Sequence, residues 1–365
     1  MKITIIGVGK LGLGFSLLLD KNEYDVLAVD INHKYVEALQ NKTFISHEPG
    51  YNKLLEKSSV KFTTDLKKGL EHSNIIFIIV QTPLSGNDNF YDHSILSSLL
   101  SKINEMKASN KHIIVGCTVM PKYIDTIGKN LLEDCNNCLL SYNPEFVAQG
   151  DVINGFENSD IILVGSTSKE LLNILKSIYD KIVKNSPKYC FMTPLEAEVV
   201  KICLNGYITT KLSYANMVGD LCDTLCIDKD IVCNAIGNDT RIGNKYFKPG
   251  YSYGGPCFPR DTLAVKKLLD TYEIPSELLH ATSKYNNYHV EFQAEQMLKE
   301  NRDIYEFKDV SYKHNSNILI IEHSAKLKIA QYIANRGKKV IIKGNINIIV
   351  KVKEEYGNIF EYCIV

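Results

Sequence analysis

Residues 250–262, Gly-Tyr-Ser-Tyr-Gly-Gly-Pro-Cys-Phe-Pro-Arg-Asp-Thr, set one thiol, Cys257, in a stretch whose composition bends the backbone sharply. Gly250, Gly254 and Gly255 permit positive φ and close approach of a ligand, while Pro256 and Pro259 fix the bends on either side. An amphipathic run from Thr262 to Tyr272 follows Asp261, which places Cys257 just ahead of a helix N-terminus, where amide dipoles favour a thiolate. Taken alone, the stretch reads equally as a Gly/Pro turn around a buried thiol. Upstream, Lys201 and Asn205 stand four apart in a long helical run, hence on one face. An ammonium beside an amide suits an oxygen that gains negative charge. The ordinary alternative for that pair is a solvated lysine with an asparagine that happens to follow.

The elements that position these groups begin at the N-terminus. Residues 3–6 are a short buried strand, and Gly7-Val8-Gly9-Lys10-Leu11-Gly12 leads at once into a helical pattern, Leu13 to Leu19. The next strand, Asp25 to Val29, ends in Asp30. This is the dinucleotide fingerprint in its required setting: Gly7 for the turn, Gly9 for close approach of a pyrophosphate, Gly12 for helix packing. Asp30 takes the adenosine ribose hydroxyls and repels a 2′-phosphate, which favours NAD over NADP. Further strands are Val60 to Phe62, Ile75 to Val80 before Gln81-Thr82-Pro83, His112 to Val115 before Gly116-Cys117-Thr118, and Cys138 to Ser141 before Asn143-Pro144-Glu145. Helices are expected near 33–41, 93–106 and 121–132. Thr82, Thr118 and Glu145 thus lie at carboxyl ends of buried strands, where a doubly wound sheet binds its ligands. Thr82 and Thr118 read equally well as turn residues or helix caps.

Ile161 to Val164 is another strand and Lys169 to Val183 a helix. Thr193-Pro194-Leu195-Glu196 is a capping box that opens a long helix reaching about Cys226. Helices over Lys229–Ile236 and Ser276 to about Glu300 flank the cysteine loop. Asn301 to Asn315 reads as a polar linker, followed by a strand (Ile318–Ile321), a helix (Lys326–Asn335), a strand (Val340–Lys343) and a poorly defined tail.

Composition narrows the function classes. The 365 residues suffice for two or three domains, and 45% hydrophobic content for full cores. Forty-two basic residues balance forty-two acidic ones, so no global field recruits nucleic acid or an anionic membrane. No apolar run approaches a membrane span, and the start reads as a strand rather than a signal peptide. The ten cysteines are expected as reduced cytosolic thiols. Cys135 and Cys138 form a CxxC without a second pair or His cluster to complete a zinc set. They read as a chance pair at a loop-to-strand junction, and no metal site is expected.

Over residues 1 to about 300 the ordered motifs resemble the nucleotide-sugar dehydrogenases, the UDP-glucose/GDP-mannose dehydrogenase superfamily, most closely its UDP-glucose 6-dehydrogenase branch. They are GVGKLG with Asp30, Thr82-Pro83, Thr118, Asn143-Pro144-Glu145-Phe146, Glu196 through Lys201 to Asn205, Arg241-Ile242-Gly243, and GYSYGGPCFPRDT. The resemblance implies an α/β chain with a Rossmann-like doubly wound NAD domain (1–192) and a central, long-helix, all-α dimerisation region carrying the cysteine loop (193–300). A shortened α/β nucleotide-sugar domain (301–365) completes it. It implies Cys257 as nucleophile, Lys201 and Asn205 as stabilisers of alkoxide-like oxygens, Glu145 and Asp261 in water activation and proton handling, and Thr118 beside the reacting water. Gly7, Val8, Gly9, Lys10, Leu11, Gly12, Asp30, Lys34, Thr82, Thr118 and Arg260 would contact NAD. Glu145, Phe146, Val147, Lys201, Asn205, Tyr246, Tyr253, Gly254 and Cys257 would contact the sugar nucleotide, with Arg241 reaching a neighbouring subunit's site in a cytoplasmic homodimer.

The expected reaction is a four-electron oxidation of UDP-glucose to UDP-glucuronate through a cysteine thiohemiacetal and thioester. Alternatives are the same chemistry on a UDP-N-acetylhexosamine or GDP-mannose, a two-electron hydroxyacid dehydrogenase, and a non-catalytic homologue. Three features depart from the family pattern. Gln149 stands where several members carry a second carboxylate, Arg260 replaces a lysine, and Ile321-Glu322-His323-Ser324 passes almost directly into helix where members have a nucleotide-binding loop.

Overall fold

Strand residues in the N-terminal half alternate between two apolar layers, so one sheet is buried on both faces. The computed structural model describes residues 1–86, 91–313 and 319–365, and the chain divides into two compact units, Met1–Lys201 and Ile202–Val365. Strands of the first unit are β1 (Lys2–Ile6), β2 (Asp25–Val29), β3 (Lys61–Thr63), β4 (Ile75–Ile78), β5 (Ser109–Val115), β6 (Asn136–Tyr142), β7 (Ile161–Gly165) and β8 (Lys188–Met192). They form one sheet in the order β3-β2-β1-β4-β5-β6-β7-β8. Neighbours run parallel except β6 and β7, which meet antiparallel at Tyr142 and Gly165. Its helices are α1 (Lys10–Lys21), α2 (His33–Gln40), α3 (Tyr51–Lys57), α4 (Leu66–His72), α5 (Ser94–Glu105), α6 (Val152–Glu157) and α7 (Lys169–Ile182). Ile3, Ile5, Phe77 and Ile114 pack in a core with α1 and α7. Ile6, Ile76, Ile78, Ile113 and Val115 pack in another with α5. The period of two along each strand builds both, and the expected Rossmann-like α/β architecture is observed.

Helix α8 (Pro194–Thr224) opens on the expected capping box: the Thr193 amide donates to Glu196 Oε2 at 2.8 Å, and the Glu196 amide to Thr193 Oγ1 at 3.4 Å. The second unit continues with α9 (Lys229–Gly237), α10 (Phe258–Thr271) and α11 (Glu277–Leu298). It ends in β9 (Ile304–Lys308), α12 (Ala325–Asn335), β10 (Lys339–Gly344), α13 (Ile346–Tyr356) and β11 (Glu361–Ile364). These last strands form a parallel sheet ordered β11-β10-β9.

Several expectations are corrected. The supposed linker holds β9, whose alternation of exposed Ile304 and Glu306 with buried Tyr305 and Phe307 is masked by its charges. The strand expected at Ile318–Ile321 is absent over Leu319–Ile321, and Ile318 lies outside the described residues. The undefined tail is α13, capped by Asn345 accepting from the Ile348 amide, and β11. In place of an α-helix over 121–132 there is a π-helical turn, Tyr123–Gly128, entered through Lys122 at φ 78°. Helix α10 starts four residues before Thr262, with Pro259 in its first turn where a missing amide proton costs nothing.

Candidate active site

The glycine turn after β1 has the geometry that its glycines suggest. Gly7 has φ 91°, and a Cβ there would lie 2.4 Å from the Ile79 carbonyl oxygen; one on Gly12 would lie 2.0 Å from the Gly7 oxygen. A Cβ on Gly9 would meet nothing within 4 Å, so this position faces open space at the N-terminus of α1. Asp30 braces the turn: its Oδ2 accepts from the Val8 amide at 2.9 Å and its Oδ1 from the Asn32 amide at 3.0 Å. Each oxygen keeps a further lone pair for a ribose hydroxyl. The residues present therefore fit NAD: amides and a helix N-terminus for the pyrophosphate, a carboxylate for the ribose. Lys34 is exposed on α2, Lys10 Nζ donates to Gln149 Oε1 at 2.9 Å, and Thr82 is buried after β4.

Beyond β6, Asn143 holds the strand end by donating to the Leu163 carbonyl at 2.8 Å. Tyr179 of α7 stands 2.6 Å from Asn143 Oδ1 and 2.9 Å from Glu145 Oε1. Burial pushes the Glu145 carboxyl up to about 7, against the lowering effects of the Tyr179 hydrogen bond and the Lys201 charge. A carboxyl group poised there can take or give a proton at neutral pH. Lys201 Nζ donates to the Glu145 carbonyl oxygen and lies 4.5 Å from the centre of the Phe146 ring. Val147 packs partly buried against the N-terminal core. Thr118, half-buried, follows β5.

Sequence reasoning missed Glu198, one turn into α8. Fully buried, it accepts from the Lys122 amide at 2.7 Å and the Ile124 amide at 2.8 Å. Burial pushes it up to about 7, and Asp125 adds to the rise while the two amides oppose it. Helix α8 therefore ties down both strand-end loops, the Thr118 loop through Glu198 and the Glu145 loop through Lys201.

In the second unit, Cys257 is the exposed N-cap residue of α10, and its carbonyl accepts the Asp261 amide at 2.8 Å. Asp261 is buried and accepts from Asn205 Nδ2, with Arg260 Nε 3.9 Å from its other oxygen. Gly255 has φ 76°; its amide donates to the Glu322 carbonyl at 3.0 Å, and a Cβ there would strike the Tyr312 ring at 2.4 Å. A Cβ on Gly254 would lie 2.1 Å from the His323 oxygen, so the shortened Glu322–His323 passage packs directly on the cysteine loop. A polar network, also missed, anchors the start of the loop. Gly250 donates to Asn216 Oδ1 at 2.8 Å, and its carbonyl meets His289 Nε2 at 2.7 Å; His289 Nδ1 and the Tyr285 hydroxyl both bond Asp220. Asn286 exchanges two hydrogen bonds with the Tyr253 backbone. The signal lay in polar residues recurring on the inner faces of α8 and α11. Tyr246, at φ 60°, contacts the Phe258 ring, whereas Arg241 is 86% exposed and forked onto Asp239.

Residues 1–183 match the NAD binding domain of the UDP-glucose/GDP-mannose dehydrogenase family, and residues 195–288 its central domain. The chain belongs to this family. NAD is accordingly the cofactor of its N-terminal unit. Among curated relatives it is similar to a UDP-glucose 6-dehydrogenase of Rhizobium meliloti, 28% identical over 79% of this chain and 68% of that one. Another from Bacillus subtilis is 30% identical over 79% and 66%. The chain spans about two thirds of the length of these relatives. A UDP-glucose dehydrogenase structure from Pyrobaculum islandicum shares the family fold across 99% of this chain and 85% of its own, with TM-score 0.89 at 24% identity. The UDP-D-ManNAc dehydrogenase of Pyrococcus horikoshii does so across 94% and 83%, with TM-score 0.79 at 22% identity.

Proposed function

We propose that this chain is an NAD-dependent UDP-glucose 6-dehydrogenase that makes UDP-glucuronate with Cys257 as covalent nucleophile. The observation that carries the reading is Cys257 at the head of α10, one turn from the buried Asp261–Asn205 pair. Bound NAD supplies the hydride acceptor, twice per sugar. Glu145, held near neutrality, takes the proton that the C6 alcohol gives up as its first hydride leaves. The Cys257 sulfur, its thiolate favoured by the amides of α10, adds to the resulting aldehyde, and Lys201 and Asn205 stabilise the oxygen that becomes negative. Loss of the second hydride from this thiohemiacetal gives a thioester. Water placed by Thr118 and a carboxylate attacks the thioester carbonyl, the carbon–sulfur bond breaks, and the acid leaves with the thiol regenerated.

The same proposal takes residues 1–192, 193–300 and 301–365 as cofactor, helical and sugar-nucleotide domains of a cytoplasmic homodimer. No helix among the described residues is long and apolar enough to cross a membrane. The test is a screen of sugar nucleotides by NADH absorbance. Two NADH per UDP-glucose are expected, with Cys257→Ser stalling at the aldehyde or a bound adduct. Acid formation undiminished in that variant sinks the mechanism. Preference for UDP-N-acetylhexosamine or GDP-mannose moves the substrate, one NADH per substrate points to a two-electron enzyme, and NAD binding without turnover to a non-catalytic homologue.

A further inference from the structure

We propose that Cys135 and Cys138 form a reactive dithiol, which a low-molecular-weight disulfide closes to an intramolecular disulfide, Cys138 attacking and Cys135 resolving. The CxxC spacing says little by itself, but the fold brings the pair together. Cys138 lies on β6 and Cys135 ends the turn before it. Between them Asn137 takes φ 51°, a left-handed kink in the strand, matched across the ladder by Asn110 of β5 at φ 54°. Asn137 Nδ2 donates to Asn110 Oδ1 at 2.7 Å and locks the kink. The two thiols lie close enough for the charge of one to act on the other. Each also faces a carbonyl, Cys138 Sγ at 3.4 Å from Ala108 O and Cys135 Sγ at 3.8 Å from Ile103 O.

The roles follow from the surroundings. Lys111 is the register partner of Cys138 on β5. Its ammonium is held by Ser73 O and Asn74 Oδ1 at 3.0 Å each; burial lowers its pKa, and the charge of Cys138 opposes that fall, so the cation and this sulfur are neighbours. Burial, then the neighbouring Cys138, pushes the Cys135 thiol up to about 11, so it stays protonated near neutral pH. Both residues are only half-buried, unlike Cys117, Cys222 and Cys233, so a small reagent can reach them. Among the described residues no group of three or more His, Cys, Asp or Glu is placed to hold a metal ion.

In the first step the Cys138 thiolate attacks one sulfur of the reagent, the reagent's S–S bond breaks, and one thiol departs with the proton that Cys138 released. In the second, Cys135 gives up its proton and attacks the Cys138 sulfur, breaking the mixed disulfide and freeing the second thiol. The protein loses two hydrogens and two electrons, and the reagent is reduced to two thiols.

The experiment treats the full chain with oxidised glutathione, alkylates remaining thiols and maps the tryptic peptide 130–169, which carries both cysteines and no other. The expected wild-type peptide is unalkylated and about 2 Da lighter than its reduced form, and dithiothreitol reverses the change. Cys135→Ser is expected to stop at a glutathione adduct on Cys138, Cys138→Ser to leave Cys135 without adduct over the same interval, and Lys111→Met to slow closure roughly 3- to 10-fold. The proposal is overturned if both thiols of the wild type are alkylated once exposed Cys226 has formed its adduct, or if adducts accumulate on the peptide without closing. The readout is a mass, independent of turnover, and stands or falls apart from the function proposed above.

Discussion

The Tyr179 hydroxyl lies between two acceptors, 2.9 Å from Glu145 Oε1 and 2.6 Å from Asn143 Oδ1. A phenol has one proton to donate. The phenol therefore serves Asn143 Oδ1 and Glu145 Oε1 with a single proton, and burial outweighs its bond to the carboxylate, leaving the Glu145 carboxyl pushed up to about 7.

That arrangement has a pH signature. Because the folded state holds the Glu145 proton more tightly than the unfolded chain, stability is full below the ordinary value of 4.5 and declines as pH rises through about 7. Glu145→Gln keeps the shape and cannot ionise. Relative to wild type it is expected to gain stability between pH 5 and 8, up to about 3 kcal/mol. Urea unfolding at four pH values measures the gain, and parallel wild-type and variant profiles contradict it. In kinetics, the rising limb of kcat/KM near neutrality is expected to vanish in the variant.

Glu198 gives a second prediction because removing it orphans two buried donors. Glu198→Ala leaves the Lys122 and Ile124 amides without their acceptor, a loss of about 2–4 kcal/mol. Glu198→Gln presents one oxygen and one amide, so about half that loss is expected. Hydrogen exchange should accelerate at residues 122 and 124 while the strands of the sheet stay protected. Uniform acceleration throughout the unit would show general destabilisation instead.

Asp30 is expected to set both affinity and selectivity for the cofactor. Asp30→Asn removes the charge that repels a 2′-phosphate and weakens the acceptor offered to the ribose, so NAD affinity should fall roughly 10-fold while the preference over NADP narrows. Titration of the variant with each dinucleotide reads both effects, and an unchanged ratio would place selectivity elsewhere.

The sequence was most legible where local chemistry and the fold agree. The glycine turn and Asp30 could be read because each residue type answers a backbone need at a fixed offset, and the Thr193–Glu196 box because it is a local hydrogen-bond exchange. β9 was hidden because Ile304, Glu306 and Lys308 face solvent while only Tyr305 and Phe307 are buried, a strand with two core residues. Glu198 was invisible for the opposite reason. A glutamate in a helical run reads as solvated, and only tertiary packing reveals that two backbone amides have drawn it inside. The kink between Cys135 and Cys138 depends on Asn137 adopting a left-handed conformation, which an asparagine permits but does not announce.

The proposed homodimer follows from one face of α8. Tyr207, Tyr214, Met217 and Leu221 are exposed at spacings of seven, three and four, on one face of a 31-residue helix. Leu221→Glu, a buried charge in the dimer and a harmless one in a monomer, is expected to halve the mass seen by light scattering at micromolar concentration; a monomeric wild type removes the idea. If Arg241 also serves the partner's sugar site, Arg241→Ala and Cys257→Ser are each inactive alone yet complement when mixed. In the mixed dimer, the site with intact Cys257 receives Arg241 from the other subunit. Random re-association makes half the dimers mixed with one working site each, so about a quarter of wild-type turnover should return. Recovery of nothing, with exchange of subunits verified by mass, would put Arg241 in its own subunit's chemistry or in none.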